Sequence, residues 1–402
     1  MKRLGLAITL ALAIGTGFGH ADELPKTIKI GVLNDMSSTQ AAADGLGAVV
    51  AARMAVEDFG GKVHGVPVEV LGADTQNKPD IAVDIIRRWL EADVSAFVDG
   101  GNSASALAAQ AVVRQKDRPF LLTTQASMAF TNEQCAPTNL HFTLDAYSLG
   151  KTLVNALMPE DDTWYFITAN YAGGISIEDS ISSFVKAAGG KVLGSSRHPI
   201  GEQDFSSFLL QAQASKAKVI ASVNFVQDLV NTLKQANEFG IGKDGSQNFA
   251  IPLVYLSDVK AVGLEAMPSF VTGMPFYWDL NDKTRAFAKR FAALNNGGYP
   301  EIDHIGAYVA TLHYLKALDS VGTVSGKVVV DKMKATPIND IFDEDVKIRE
   351  DGRVMHPFYL MKLKTKAEST GPYDYFKIVK KLAPEETYLP LSQSKCPLVK
   401  KQ

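Results

Sequence analysis

Only two of the 402 residues are cysteine, Cys135 and Cys396. That excludes a disulfide-dense scaffold and leaves no Cys-x-x-Cys spacing for zinc or redox chemistry. The seven histidines are scattered and form no His-Glu-x-x-His, so no metal site is expected. After the first 21 residues, no apolar run reaches the ~20 residues that a membrane span needs. Positive charge is not in excess. The chain has 41 Lys and Arg against 44 Asp and Glu, a net charge of −3, which argues against nucleic acid or an anionic membrane surface as partner. There is no Gly-x-Ser-x-Gly elbow, no Walker loop and no nucleophile–base motif, so no enzymatic activity is expected. Gly45-Leu46-Gly47 lacks a third glycine and lies well beyond a strand ending at Leu33. No cofactor is expected on its account.

Met1–Ala21 carries Lys2 and Arg3, then the apolar run Leu4–Ile14, and ends in Gly19-His20-Ala21. Small residues at −3 and −1 mark cleavage after Ala21, the pattern of a secretory signal peptide. Its removal takes away two basic residues and no acidic one, so the mature charge becomes −5. The destination is oxidising, which favours a Cys135–Cys396 disulfide over two separate buried thiols. The length suggests two domains.

Short apolar strands alternate with helices of 10–15 residues. Strands are expected at Ile28–Leu33, Val66–Leu71, Ala96–Val98 and Phe120–Leu122, with helices Gly47–Phe59, Pro79–Glu91 and Ser103–Gln115 between them. The alternation restarts after Cys135, through strands Trp164–Thr168, Lys191–Ser195, Val219–Val223 and Ile251–Leu256. Such alternation predicts an α/β fold of two doubly wound parallel sheets. No flexible linker separates the halves, so two lobes joined by a hinge of several crossings are expected. Near the end, Val346–Arg349 and Phe358–Leu363 flank Glu350-Asp351-Gly352-Arg353 and predict an antiparallel hairpin. Tyr373–Lys381 predicts a further strand.

Open α/β sheets bind ligands at the carboxyl ends of their strands. Three loops stand there. Gly100-Gly101-Asn102-Ser103 opens a helix, and Ser103 is equally suited to cap that helix or to hold a ligand carboxylate. Thr123-Thr124-Gln125-Ala126-Ser127 offers hydroxyls and amides, or a polar turn with a cap. Asn170-Tyr171-Ala172-Gly173-Gly174 sets an aromatic ring at a helix start, as a ligand cover or a lid on the core. Pro275-Phe276-Tyr277-Trp278 puts consecutive aromatics near a lobe crossing. Successive strand residues alternate faces, so one of them, Phe276, is a candidate for the cleft.

Ile28-Lys29-Ile30-Gly31-Val32-Leu33, Gly100-Gly101-Asn102-Ser103, Asp204-Phe205-Ser206-Ser207 and Leu233-Lys234-Gln235-Ala236 follow one another in a familiar order. Over Thr27–Leu363 the sequence resembles the periplasmic solute-binding proteins of ABC importers, in the branched-chain amino acid (Leu/Ile/Val) group with type I lobes. The tail with Cys396-Pro397-Leu398-Val399 is similar to a subgroup with a C-terminal extension, some of whose members take aromatic acids. The resemblance implies lobe 1 at 22–145 plus 275–353, lobe 2 at 146–274 plus 354–371, and an extension at 372–402. It implies a periplasmic, monomeric capture protein. The partners would be a small carboxylate ligand and an inner-membrane ABC permease; a ligand-sensing receptor subunit is the rival of another class.

The resemblance also assigns roles. Ser103 and Ser127 hold the carboxylate, and Gln125 contributes main-chain groups. Tyr171 closes from the second lobe. Phe225 keeps the ring, without the hydroxyl, of a family tyrosine. The acid that meets an amino acid's ammonium aligns with Ser257, with Asp258 one residue later. Without Asp258 an ammonium would stay unpaired. Ala43 replaces a bulky aromatic wall. These departures favour an aromatic acid over a branched-chain or other amino acid.

Overall fold

The computed structural model describes residues 24–38, 40–158, 160–242 and 245–400. The leader expected at Met1–Ala21 lies outside the described residues. The first lobe is built on β1 (Ile28–Asn34), α1 (Gly45–Phe59), β2 (Lys62–Val63), β3 (Val66–Asp74), α2 (Pro79–Glu91), β4 (Ala96–Asp99), α3 (Ser103–Val113), β5 (Phe120–Leu122) and β6 (Asn139–His141). Its six-stranded sheet has the order β2-β3-β1-β4-β5-β6, and all neighbours but β2 and β3 run parallel. β1 is central and almost wholly buried, which is why it reads as a continuous apolar run rather than an alternation.

The second lobe follows with α4 (Ala146–Leu157), β7 (Thr163–Ala169), α5 (Ala172–Ala187), β8 (Lys191–His198), α6 (Ser206–Ala214), β9 (Val219–Val223), α7 (Gln227–Glu238), β10 (Asn248–Ala250) and α8 (Leu256–Val262). Its four parallel strands have the order β10-β9-β7-β8. The chain then runs through β11 (Val271–Met274), α9 (Asp282–Leu294), α10 (Ile302–Val321), α11 (Gly326–Ala335), β12 (Phe358–Leu363), β13 (Phe376–Leu382) and α12 (Pro384–Thr387). α10 returns to the first lobe and lies along α1. Gly47 makes that approach possible, because a Cβ there would strike the His304 ring. The two α/β sheets fit the expected fold class.

Two expectations about strands need correction. Ile251–Leu256 is not a strand: β10 ends at Ala250, and α8 begins at Leu256. Pro252 has no amide to give a ladder, and a short apolar run carries no period that distinguishes strand from coil. The hairpin turn forms, with Gly352 at φ 84° and its amide bonded to Arg349 O at 3.0 Å. Its second arm is wrong, however. Ile348 bridges Val354, whereas Phe358–Leu363 pairs antiparallel with β11 and β13.

Arg353 ties its own segment to the one at Thr143–Asp145. Its Nη1 stands 3.4 Å from Asp145 Oδ2, Nη2 donates to Thr143 O, and Nε donates to Val354 O at 3.1 Å. The guanidinium also stacks 4.7 Å over the Tyr388 ring of the C-terminal extension. Cys135 and Cys396 form the expected disulfide, with a Cα–Cα distance of 5.7 Å.

Candidate functional site

The first lobe presents the ends of β4 and β5. Gly100 and Gly101, at φ 122° and 68°, turn the chain from β4 into α3, a conformation open to glycine without a side-chain clash. Asn102 caps α3, accepting from the Ser105 amide at 2.9 Å. Ser103 is thereby released from capping, and its Oγ accepts from the Ser127 amide at 3.2 Å. Ser127 caps the short 3-10 turn Met128–Thr131 through Ala129 N at 3.3 Å. Ser103 and Ser127 are thus brought together, 2% and 6% exposed.

Gln125 makes three contacts within the protein. Its Nε2 donates to Gly101 O at 2.5 Å, its Oε1 accepts from Thr124 N, and its carbonyl lies 2.6 Å from His141 Nε2. The residue braces the glycine loop, and its carbonyl is committed to the protein.

The second lobe closes onto this surface. Tyr171 precedes α5, and its ring meets Phe225 edge-on at 5.8 Å. A Cβ built on Gly173 would stand 2.7 Å from the Tyr171 ring and 3.0 Å from Ser103 Oγ. Ser176 Oγ accepts from Met128 N at 3.3 Å. The first turns of α3 and α5, one from each lobe, therefore converge beside Ser103. Helix starts carry unpaired amides and positive partial charge. Phe225 is followed by Val226 at φ 47°, a β-branched residue held in strain of about 1–3 kcal/mol.

Asp258 and Phe276 are placed apart from that group. Asp258 Oδ2 accepts from Tyr255 N at 2.9 Å within the first turn of α8, while Oδ1 is buried with no partner. Burial pushes its carboxyl up to about 7. The Ser257 amide donates to Glu301 Oε1 at 2.8 Å. Phe276 is 1% exposed and packs 4.6 Å from the His356 ring and 5.7 Å from Phe342. It is a core residue, and its aromatic neighbours are packing contacts.

Sequence reasoning missed a set of acids. Asp44 precedes α1, Asp99 ends β4, and Asp303 lies in the first turn of α10. All three are at most 1% exposed. Tyr255, from the second lobe, donates its hydroxyl to Asp303 Oδ2 at 2.9 Å. Thr124 Oγ1 donates to Asp99 Oδ1, which also accepts from Gly101 N at 3.2 Å. Asn34 Nδ2 donates to Asp44 Oδ1 at 3.0 Å. Burial and mutual repulsion raise the Asp44 and Asp303 carboxyls well above the ordinary range, and burial raises Asp99. Burial also raises Tyr171, with Asp228 and Asp303 adding to it. The run Asp99-Gly100-Gly101 at a strand end is the local signal the sequence offered.

Residues 27–369 match the model of a family described as periplasmic binding protein. The chain belongs to the periplasmic binding protein family. A periplasmic binding protein of Burkholderia mallei is 38% identical, with a TM-score of 0.90 over 93% of this chain and 100% of that one. A branched-chain amino acid ABC transporter periplasmic ligand-binding protein of Burkholderia xenovorans LB400 is 36% identical, with a TM-score of 0.82 over the same shares. The Leu/Ile/Val-binding protein homolog 4 of Brucella melitensis is 22% identical over 323 residues, 77% of this chain and 76% of that one. The family is one of ABC-transporter solute-binding proteins, which take up small molecules between two lobes.

Proposed function

We propose that the mature chain, cleaved after Ala21, works in the periplasm, captures a small organic carboxylate between its lobes and delivers it to an inner-membrane permease. The observation that carries this reading is the convergence of Ser103, Ser127 and the first turns of α3 and α5 on one point. Hydroxyls, amides and two helix starts together suit an anion. Tyr171 and Phe225 supply apolar walls. That combination favours a ring-bearing carboxylate. Burying one ring contributes on the order of 4–6 kcal/mol before association entropy is subtracted.

A binding protein of Rhodopseudomonas palustris with this fold, 19% identical, is in complex with benzoate; at that identity the likeness is one of fold. An amino acid is the second reading, favoured by the acids at positions 44, 99 and 303. Isothermal titration of the mature protein against benzoates, cinnamates, small dicarboxylates and branched-chain amino acids tests the proposal. A carboxylate ligand that loses about tenfold in affinity in Ser103→Ala supports it. Unchanged affinity in that variant overturns the carboxylate assignment.

A further inference from the structure

β12 and β13 pair antiparallel, and their register sets Lys362 directly opposite Lys377. Like charges opposed across a sheet destabilise it. β13 is the edge strand, and its residues from Lys377 to Lys381 are all exposed. Lysines on an edge discourage stray strand pairing, which accounts for Lys377, Lys380 and Lys381. It does not account for Lys362, which stands on the middle strand. The sheet therefore carries a repulsion that guarding its edge does not require.

Lys362 and Lys377 line one groove of about 650 Å³, together with Lys364 and Lys366. Leu264, Met267 and Leu363 supply its apolar part. Glu265 and Glu368 line it too, so lysines outnumber acids. Glu368 Oε2 is already taken up by Thr365, accepting from its amide at 2.8 Å and from its hydroxyl at 3.0 Å. Asp374 answers Lys364. Lys362, Lys366 and Lys377 are exposed and form no ion pair among the described residues. This concentration of positive charge runs against the chain as a whole, whose mature net charge is −5. The groove lies past the end of α8, whereas the start of that helix is where Tyr255 meets the first lobe. It is thus set apart from the Ser103 cleft.

We infer that this groove is a docking site for an acidic segment of a partner protein. Carboxylates of the segment meet Lys362, Lys366 and Lys377, and an apolar side chain between them covers Leu264 and Met267. Each exposed ion pair is weak, so several must form at once, and three uncommitted lysines in one groove provide for that. A second copy of this chain is a poor occupant, because the same face would set lysines against lysines. A lipid surface is a poor one as well, because a layer of headgroups does not fill a groove. The inference goes beyond the capture of a ligand between the lobes and does not rest on it.

Two acetylated and amidated hexapeptides serve as probes, one alternating glutamate with leucine, the other glutamine with leucine. NMR titration of the mature protein, read at its backbone amides, gives both affinities. The glutamate peptide is expected to bind at least about tenfold tighter than its neutral twin, with shifts at Lys362, Lys377 and Met267. It is expected to lose about tenfold as salt rises from about 50 to about 500 mM. Lys362→Gln with Lys377→Gln is expected to abolish the advantage. Because that double variant removes a repulsion, its melting temperature is expected to equal or exceed that of the wild type. Binding of neither peptide, or of both alike, overturns the proposal. So does a double variant that melts several degrees lower, since the lysines then serve the sheet itself. Sedimentation with phosphatidylglycerol vesicles that is lost in the double variant, while the glutamate peptide leaves the groove amides unmoved, assigns the surface to a membrane and overturns the proposal too.

Discussion

Glu301 Oε2 accepts a hydrogen bond from the Leu256 amide at 2.8 Å. The acid stands at the start of α10 in the first lobe and the amide at the start of α8 in the second, so one lobe caps a helix of the other. Ser257 N adds a second bond to Oε1 at 2.8 Å. With Tyr255–Asp303, these contacts hold the two lobes together.

Burial pushes the Glu301 carboxyl up to about 8, against the pull of its two amide donors. An unfolded glutamate titrates near ~4.3. Between those values the folded protein keeps a proton that the unfolded chain has lost, so stability falls as pH rises through that window. Asp258, raised to about 7, and Asp228, raised to about 6, act in the same direction over narrower windows. The melting temperature is therefore expected to be higher at about pH 5 than at about pH 8. Glu301→Gln is expected to flatten the upper part of that slope. Scanning calorimetry at both pH values checks it; an unaltered slope in the variant refutes the assignment.

Gly173, in the first turn of α5, faces Ser103 of the other lobe. A side chain there would press 2.7 Å from the Tyr171 ring and 3.0 Å from Ser103 Oγ. Gly173→Ala is expected to hinder closure and weaken ligand binding by about tenfold or more, a cost of the size of modest overpacking. Small-angle scattering should find the variant more open with ligand present. Gly371, with no heavy atom within 4 Å of its Cβ position, is the control: Gly371→Ala is expected to bind normally.

The alternation of strands and helices was legible because parallel strands buried on both faces are short apolar runs and covering helices fill the gaps. Ser103, Ser127 and Tyr171 stand out in the sequence as strand-end loop residues and Phe225 through the resemblance; the structure joins Ser103 to Ser127 and Tyr171 to Phe225. Asp44, Asp99 and Asp303 do not stand out. They come from α1, β4 and α10, and only the return of α10 onto α1 assembles them. Gln125 stood in the right loop, but the partner that claims its side chain, Gly101, lies in another. Sequence spacing says nothing of such claims.

The disulfide does more than close a long loop. Beside it, Lys395 N donates to Asn132 Oδ1 at 2.9 Å and Ser394 Oγ donates to Thr131 O at 3.1 Å. The tail thus grips the turn that Ser127 caps. A sequence separation of 261 gives a chain-entropy ceiling of roughly 5 kcal/mol, seldom reached in practice. Cys396→Ser is expected to lower the melting temperature by several degrees and to weaken ligand binding slightly through Ser127. Reductant should reproduce both effects in the wild type and neither in the variant. A melting temperature insensitive to reductant argues against a stabilising role.

Arg353 supplies the severest expected loss. It is fully buried, its partner Asp145 is 1% exposed, and Asp145 Oδ1 also caps α4 through Ser148 N at 2.8 Å. Arg353→Met keeps much of the volume and the contact with Tyr388 but strands the Asp145 carboxylate without its cation. Removing one member of such a buried pair costs about 3–5 kcal/mol. Arg353→Met with Asp145→Asn relieves the stranded charge, and the double variant is expected to recover part of that loss. Urea unfolding of the four proteins measures the coupling directly. If Arg353→Met costs less than about 1 kcal/mol, the pair behaves as a surface ion pair does, and Arg353 is not what fastens its segment to Thr143–Asp145.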